Sequence, residues 1–157
     1  MDVGCYTIHM LRTLAGAEPV VRSAYAKLLK PDVDRLVRAE MEFPDGRTGS
    51  ITASMLSTTL FKASARVIGS KGTLEVSNPL APQYFHRIRV HSASGTRAEK
   101  VERRPSSYAA QLRAFVAAVR RGESFPTNVD DAVANMRVID ACYRAAGLPP
   151  REPTRLA

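Results

Sequence analysis

The chain has 157 residues, of which 45% are hydrophobic and 24% are charged, a composition that excludes a disordered or low-complexity protein. Because domains hold about 100–200 residues, this length predicts a single domain over residues 1–157. Lys and Arg number 23 against 15 Asp and Glu, and the resulting net charge of +8 raises nucleic acid or another anionic surface as a partner.

The basic residues are nevertheless scattered along the chain, with Arg103–Arg104 and Arg120–Arg121 as the only doublets. The sequence contains no RNA-binding aromatic motif, no zinc-finger spacing and no basic helix followed by heptads. We therefore expect no nucleic-acid binding. No apolar run approaches the roughly 20 residues of a membrane span, and no signal peptide is visible, so we expect a cytoplasmic protein without membrane association.

The first predicted element is a helix over the first fourteen residues, because apolar residues recur there at three- and four-residue steps before Gly16. Val20 to Leu29 predicts a strand. Val33 to Phe43 is the clearest strand, since apolar and polar residues alternate along it. Pro44-Asp45-Gly46 then predicts a tight turn, and Arg47 to Leu56 a returning strand that completes a hairpin.

Two further hairpins are predicted in the middle of the chain. Ala63 to Val67 and Thr73 to Val76 flank Gly69-Ser70-Lys71-Gly72. This segment suggests a phosphate-binding loop, but it lies between two strands and does not open a helix, so a plain turn is the better interpretation. Phe85 to His91 and Arg97 to Arg103 form the other hairpin.

From Ser106 onward the period returns to 3.6 and predicts two helices. Ser106 or Ser107 can cap the first, which ends at Gly122. The second is predicted to start at Thr127, with Asp130 three residues on in a capping-box-like arrangement. Strands gathered between helices predict an α+β fold, with a mostly antiparallel, open-faced sheet of about six strands and helices on one face.

The cysteines and histidines predict no metal site and no disulfide framework. Cys5 and Cys142 lie far apart, each among apolar residues of a predicted helix, where a free cysteine usually acts as a small buried hydrophobe. His9, His86 and His91 have no ligand spacing to one another or to a cysteine.

One face of the predicted N-terminal helix carries three proton-handling side chains, Asp2, Tyr6 and His9, at positions i, i+4 and i+7. A tyrosine can act as a general acid or base when its surroundings shift its pKa, and an aspartate beside it can hold a substrate hydroxyl. The alternative is structural, with Asp2 an N-cap, Tyr6 a core aromatic and His9 a core or surface histidine. Spacing alone favours this alternative.

No other chemistry is indicated by the motifs. The sequence contains neither GxGxxG nor GxxxxGK[ST], so no residue is predicted to bind a nucleotide cofactor. It also lacks a GxSxG elbow and a plausible Cys–His pair, which leaves nucleophilic hydrolysis unsupported.

Short segments along nearly the whole chain occur in an order that resembles one known domain. They are Asp2-Val3-Gly4-Cys5-Tyr6-Thr7-Ile8-His9-Met10-Leu11-Arg12, Glu18-Pro19, Phe43-Pro44-Asp45-Gly46, Gly69-Ser70-Lys71-Gly72-Thr73-Leu74, Asn78-Pro79, Ser107-Tyr108 with Gln111 and Phe115, and Asp140-Ala141-Cys142-Tyr143-Arg144-Ala145-Ala146-Gly147. The set resembles the C-terminal domain of the Gfo/Idh/MocA oxidoreductases, particularly the branch with glucose-fructose oxidoreductase and dimeric dihydrodiol dehydrogenase.

This resemblance implies hydride transfer between NAD or NADP and a hydroxyl of a sugar-like or diol substrate. It makes Tyr6 the candidate acid/base catalyst and Asp2 the candidate substrate-holding or orienting group, together the catalytic pair. His9 and Arg12 become candidate substrate-binding residues. It also implies an open-faced antiparallel sheet whose exposed face makes homo-oligomer contacts.

Members of the family also carry a Rossmann domain with a glycine-rich loop and a catalytic Lys, which the sequence lacks. We therefore expect the chain to be the substrate-binding and oligomerisation half of an oxidoreductase, to bind no cofactor and to be inactive alone. A separate Rossmann-domain protein is a possible partner. The alternative is a non-catalytic self-association module derived from that domain.

Overall fold

A computed structural model of the protein describes residues 3–31, 33–55, 62–101 and 105–150. The secondary-structure elements are, in chain order, α1 (Gly4–Ala15), β1 (Val20–Lys30), β2 (Val33–Glu42), β3 (Thr48–Ser54), β4 (Ser64–Gly69), β5 (Gly72–Ser77), β6 (Arg87–Ser92), β7 (Gly95–Glu99), α2 (Ser107–Arg121) and α3 (Val129–Ala145). This arrangement confirms the α+β class. None of the helices in the described ranges is both long and apolar enough to cross a membrane.

The described strands form two antiparallel sheets, in the orders β1-β2-β3 and β4-β5-β6-β7. The expected strand number of about six is therefore wrong, since seven strands are described. Every pairing joins strands that follow each other in the chain, which is what short hairpin connections produce. No pairing joins β3 to β4 among the described residues, so the sequence run of strands divides at this point into a three-stranded and a four-stranded sheet.

The chain also divides into two compact units. The first contains residues 1–58 and 126–157, and therefore α1, the three-stranded sheet and α3; the second contains residues 59–125. The first unit is discontinuous in sequence.

The core of the first unit follows from the alternation along β2. Val37, Ala39 and Met41 are buried, and the register sets Ala39 opposite Ile51 and Val37 opposite Ala53 on β3. Residues of both helices cover this face; the core cluster is Ile8, Ala39, Met41, Ile51, Val138, Ile139, Cys142 and Tyr143. Burial of these side chains accounts for the packing of both helices on the sheet.

The ends of the first unit's helices are fixed by identifiable contacts. Gly16 ends α1 in the left-handed region, with φ 63°, and its N–H donates to the Arg12 carbonyl. The predicted start of the last helix at Thr127 is wrong, because α3 begins at Val129. Asn128 is its N-cap, and the side-chain oxygen accepts from the Asp131 N–H at 2.9 Å.

In the second unit, the segment Gly69-Ser70-Lys71-Gly72 forms the turn of the β4–β5 hairpin, which confirms the structural interpretation. Gly72 has φ 143°, and a Cβ atom there would lie 2.0 Å from the carbonyl oxygen of His91 on β6. This position therefore requires glycine. Ser106, one of the two predicted caps, is the N-cap of α2, and its hydroxyl accepts from the Ala109 N–H.

The burial of Cys142 gives a testable expectation about thiol reactivity. Its side chain is fully buried, and burial raises the thiol pKa to about 11, so little reactive thiolate forms at neutral pH. In a Cys5→Ser variant we expect iodoacetamide to leave Cys142 unmodified in the native protein and to modify it in urea, as measured by intact mass. Rapid modification without denaturant would contradict this placement.

Candidate functional site

Helix α1 presents two of the predicted site residues at its surface. Tyr6 is 55% exposed, and the His9 side chain is 36% exposed, whereas Ile8 between them is fully buried in the core. The helix therefore has an anchored side and an accessible side, and Tyr6 and His9, three residues apart, lie one turn from each other. Asp2 lies outside the described residues.

Arg12, on the same helix, is held in a network of polar contacts. Its side chain is only 6% exposed. Nε and Nη2 donate to the two carboxylate oxygens of Glu18 at 2.8 and 2.7 Å. Nη1 lies 2.9 Å from Asp131 Oδ1 and donates to Asn135 Oδ1 at 3.3 Å. All three guanidinium nitrogens are thus engaged, and Arg12 joins α1 to the segment before β1 and to α3.

Asp131 connects this network to His9. One carboxylate oxygen contacts Arg12, and the other, Oδ2, lies 3.3 Å from His9 Nδ1. Asn135, one turn further along α3, donates through Nδ2 to the Cys5 carbonyl oxygen at 3.2 Å. The first two turns of α3 therefore bind the polar side of α1.

Sequence reasoning gave no role to Glu18, Asp131 or Asn135. Glu18 belongs to a segment that carried the family resemblance, and this was the only available signal for it. Asp131 lies in the acidic first turn of α3. Its interaction with the helix dipole explains a carboxylate there without any pairing with Arg12. Because Asp131 and Arg12 are 119 positions apart, no local pattern could pair them.

The ion pair predicts a pH dependence of stability. Hydrogen bonds from Arg12 lower the pKa of Glu18, against the opposing effect of partial burial. A lowered folded-state pKa means that the stabilisation is complete above the ordinary glutamate pKa of about 4.3 and is lost as the pH falls through the lowered value.

Glu18→Gln should therefore lower Tm at neutral pH, and its difference from the parent protein should shrink as the pH falls below about 4. Thermal unfolding followed by circular dichroism across this range measures the effect. The matched variant Glu42→Gln removes a carboxylate from an exposed pair with Arg22 and should change Tm little at any pH. A Tm difference for Glu18→Gln that is constant with pH would contradict the argument.

The chain is similar to known proteins over most of its length. The family model for the C-terminal alpha/beta domain of the Gfo/Idh/MocA oxidoreductase family matches residues 1–147. The chain belongs to this family, as its C-terminal domain.

Two curated relatives match over most of the chain. An uncharacterised oxidoreductase of Rhizobium meliloti is 27% identical over 152 residues, which is 92% of this chain and 45% of that protein. D-xylose 1-dehydrogenase (NADP(+)) 2 of Haloferax volcanii is 28% identical over 149 residues, which is 93% of this chain and 45% of that enzyme. The chain spans about half the length of these relatives.

Solved structures agree with this fold. Aldose-aldose oxidoreductase from Caulobacter crescentus, solved with glycerol, has a TM-score of 0.79 and 25% identity, and the match covers 92% of this chain and 44% of that one. A 3-ketoreductase from Actinomadura kijaniata has a TM-score of 0.78 at 21% identity, with 92% and 46% of the two chains covered.

The sequence lacks the motif that usually binds a dinucleotide. A pyrophosphate needs a glycine-rich loop that opens a helix, and the sequence contains none. The first turn of α3 carries Asp130 and Asp131, whose charges repel phosphate. Among the described residues, no three His, Cys, Asp or Glu side chains are grouped so that they could hold a metal ion.

Proposed function

We propose that this chain is the substrate-binding half of an NAD(P)-dependent oxidoreductase that acts on a hydroxyl group of a sugar-like or diol substrate. The observation that carries the proposal is the accessible side of α1, where Tyr6 is exposed one turn from a partly exposed His9. Family membership and a xylose dehydrogenase among the relatives support the reaction class.

Tyr6 is the proton-handling group in this proposal. Oxidation of an alcohol removes a hydride from carbon and a proton from oxygen, and a phenolate oxygen can accept that proton; in the reverse direction the phenol donates it to the carbonyl oxygen. Asp2 holds or orients the substrate hydroxyl, and His9 contacts the substrate. Arg12 is a positioning residue, because its nitrogens are already engaged by Glu18 and α3.

We place the hydride partner outside these residues, since the sequence lacks the glycine-rich loop that usually holds a dinucleotide. We assign NAD or NADP to a Rossmann domain, either in the same polypeptide or in a separate protein. This chain alone should bind neither dinucleotide, which isothermal titration with NADP⁺ and NAD⁺ would measure.

A chimera tests the proposed function. The N-terminal half of the Haloferax volcanii xylose dehydrogenase would be fused ahead of this chain, and NAD(P)H formation would be followed with a panel of aldoses and diols. Turnover that requires this chain supports the proposal. A well-folded chimera that binds the dinucleotide but turns over no member of the panel would favour a non-catalytic self-association module.

The outer face of the three-stranded sheet is the proposed homo-oligomer contact. The register sets Tyr25, Arg38 and Thr52 side by side on the face opposite the core, and tyrosine and arginine are enriched in protein interfaces. We expect Arg38→Glu to lower the mass measured by light scattering, whereas Arg66→Glu on β4 should leave it unchanged. A monomeric parent protein, or an Arg38→Glu oligomer of unchanged mass, would contradict this contact.

A further inference from the structure

We infer that Asp131 is a positioning residue for His9, which holds the neutral imidazole with its proton on Nδ1 and leaves Nε2 as a hydrogen-bond acceptor. The inference rests on the proposed function only for what Nε2 contacts, namely the hydroxyl of the substrate. The assignment of the proton within the ring depends on the geometry of this chain alone.

The Asp131 carboxylate is fixed in place before His9 is considered. Its residue occupies the first turn of α3, where the backbone N–H donates to the Asn128 cap at 2.9 Å. Its Oδ1 lies 2.9 Å from Arg12 Nη1, and its backbone carbonyl accepts from the same nitrogen at 3.5 Å. Arg12 is in turn held by both oxygens of Glu18. These contacts fix the orientation of the Asp131 carboxylate. Oδ2 is the carboxylate oxygen that Arg12 does not contact.

Oδ2 lies 3.3 Å from His9 Nδ1. An ionised carboxylate accepts hydrogen bonds and donates none, so the nitrogen beside it is stabilised in its protonated form. In a neutral imidazole the other nitrogen then carries the lone pair, because the hydrogen bond made by one ring nitrogen determines the state of the other. His9 Nε2 is therefore an acceptor, which suits a substrate that presents hydroxyl donors.

Arg12 is buried beside the accessible side of α1 because its guanidinium contacts Glu18 and Asp131. Arg12 Nη1 lies 2.9 Å from Asp131 Oδ1, and this contact orients the carboxylate so that Oδ2 faces His9. The chain of contacts runs from Glu18 through Arg12 and Asp131 to His9. Of these four side chains, His9 is the one that lies beside Tyr6 on the accessible side of α1.

The tautomer can be measured directly on this chain. Two-dimensional proton–nitrogen spectra of the histidine rings, recorded at about pH 8.5, well above the ordinary histidine pKa of about 6.5, distinguish Nδ1–H from Nε2–H. His9→Gln assigns the signal among the three histidines. We expect mainly Nδ1–H in the parent protein, and a change of about tenfold in the tautomer ratio toward Nε2–H in Asp131→Ala, because the carboxylate beside Nδ1 is removed.

Asp130→Ala is the matched control, because it removes a carboxylate from the same helical turn and should leave the ratio unchanged. If the parent protein shows mainly Nε2–H, the inference is overturned without any variant. The test therefore does not depend on whether Asp131→Ala folds. An equal shift in Asp130→Ala would also overturn it. In the active chimera, Asp131→Ala should raise KM more than it lowers kcat and have no further effect in a His9→Gln background. An inactive chimera with an Nδ1–H parent would reject the proposed function and retain the positioning role.

Discussion

Tyr6→Phe is expected to lower kcat of the oxidoreductase assembled with a Rossmann domain by about 10²–10⁴-fold, the usual contribution of a general acid or base. The substitution removes a single oxygen atom and leaves the ring. Because Tyr6 is exposed, no buried hydrogen bond is lost and the free energy of unfolding should stay within about 0.5 kcal/mol of the parent value. Steady-state kinetics of the chimera, together with urea unfolding, measure both quantities.

Tyr84→Phe provides the matched control, since Tyr84 is also exposed but lies in the second unit, in the segment between β5 and β6. It should leave kcat unchanged. A Tyr6→Phe enzyme with parental kcat would show that the proton moves through another group.

Arg12→Met is expected to be the most destabilising of the changes considered, by about 3 kcal/mol. It leaves the Glu18 and Asp131 carboxylates without the cation that neutralises them, and it leaves the Asn135 side-chain oxygen without its donor. Breaking a buried pair from one side typically costs about 3–5 kcal/mol, and the lower figure applies because Glu18 is 59% exposed. Urea unfolding measures the loss as a lower midpoint at constant slope.

Arg22→Met tests whether the destabilisation by Arg12→Met depends on the burial of Arg12. Arg22 donates to Glu42 at 2.7 Å, as short as the Arg12 contacts, but both side chains are exposed. Its loss should change the unfolding free energy by less than about 1 kcal/mol. Arg12→Lys should fall between the two, because lysine keeps the charge and loses the two-pronged geometry. Equal midpoints for Arg12→Met and Arg22→Met would contradict a structural role for the network.

Local patterns predicted those parts of the fold whose causes are local. The alternation that buries Val37, Ala39 and Met41 is a property of β2 by itself, and the end of α1 at Gly16 depends on one left-handed residue. The predicted cap of α3 was one residue early because Thr127 and Asn128 are both good caps, and only the fold selects the second.

The site required information that no segment contains. Tyr6 and His9 could be placed on one helix from their spacing, but the exposure of Tyr6 and the pairing of His9 with Asp131 depend on how α3 packs. Arg12 was a candidate substrate contact because it lies in the segment that carries the family resemblance. Its engagement by Glu18 and α3 results from tertiary packing, which decides whether an arginine binds a ligand or anchors a helix.

The discontinuity of the first unit has a consequence for how the protein is made. Residues 3–55 leave the ribosome with the apolar side of their sheet, including Met41 and Ile51, still lacking α3. At about 5–20 residues per second, residues 59–125 take several seconds to synthesise before α3 can follow. During that interval the nascent chain presents an uncovered hydrophobic surface, which is the kind of surface that chaperones bind. The side chains of α3 that contact the polar side of α1, Asp131 and Asn135, therefore arrive with the helix that ends this exposure.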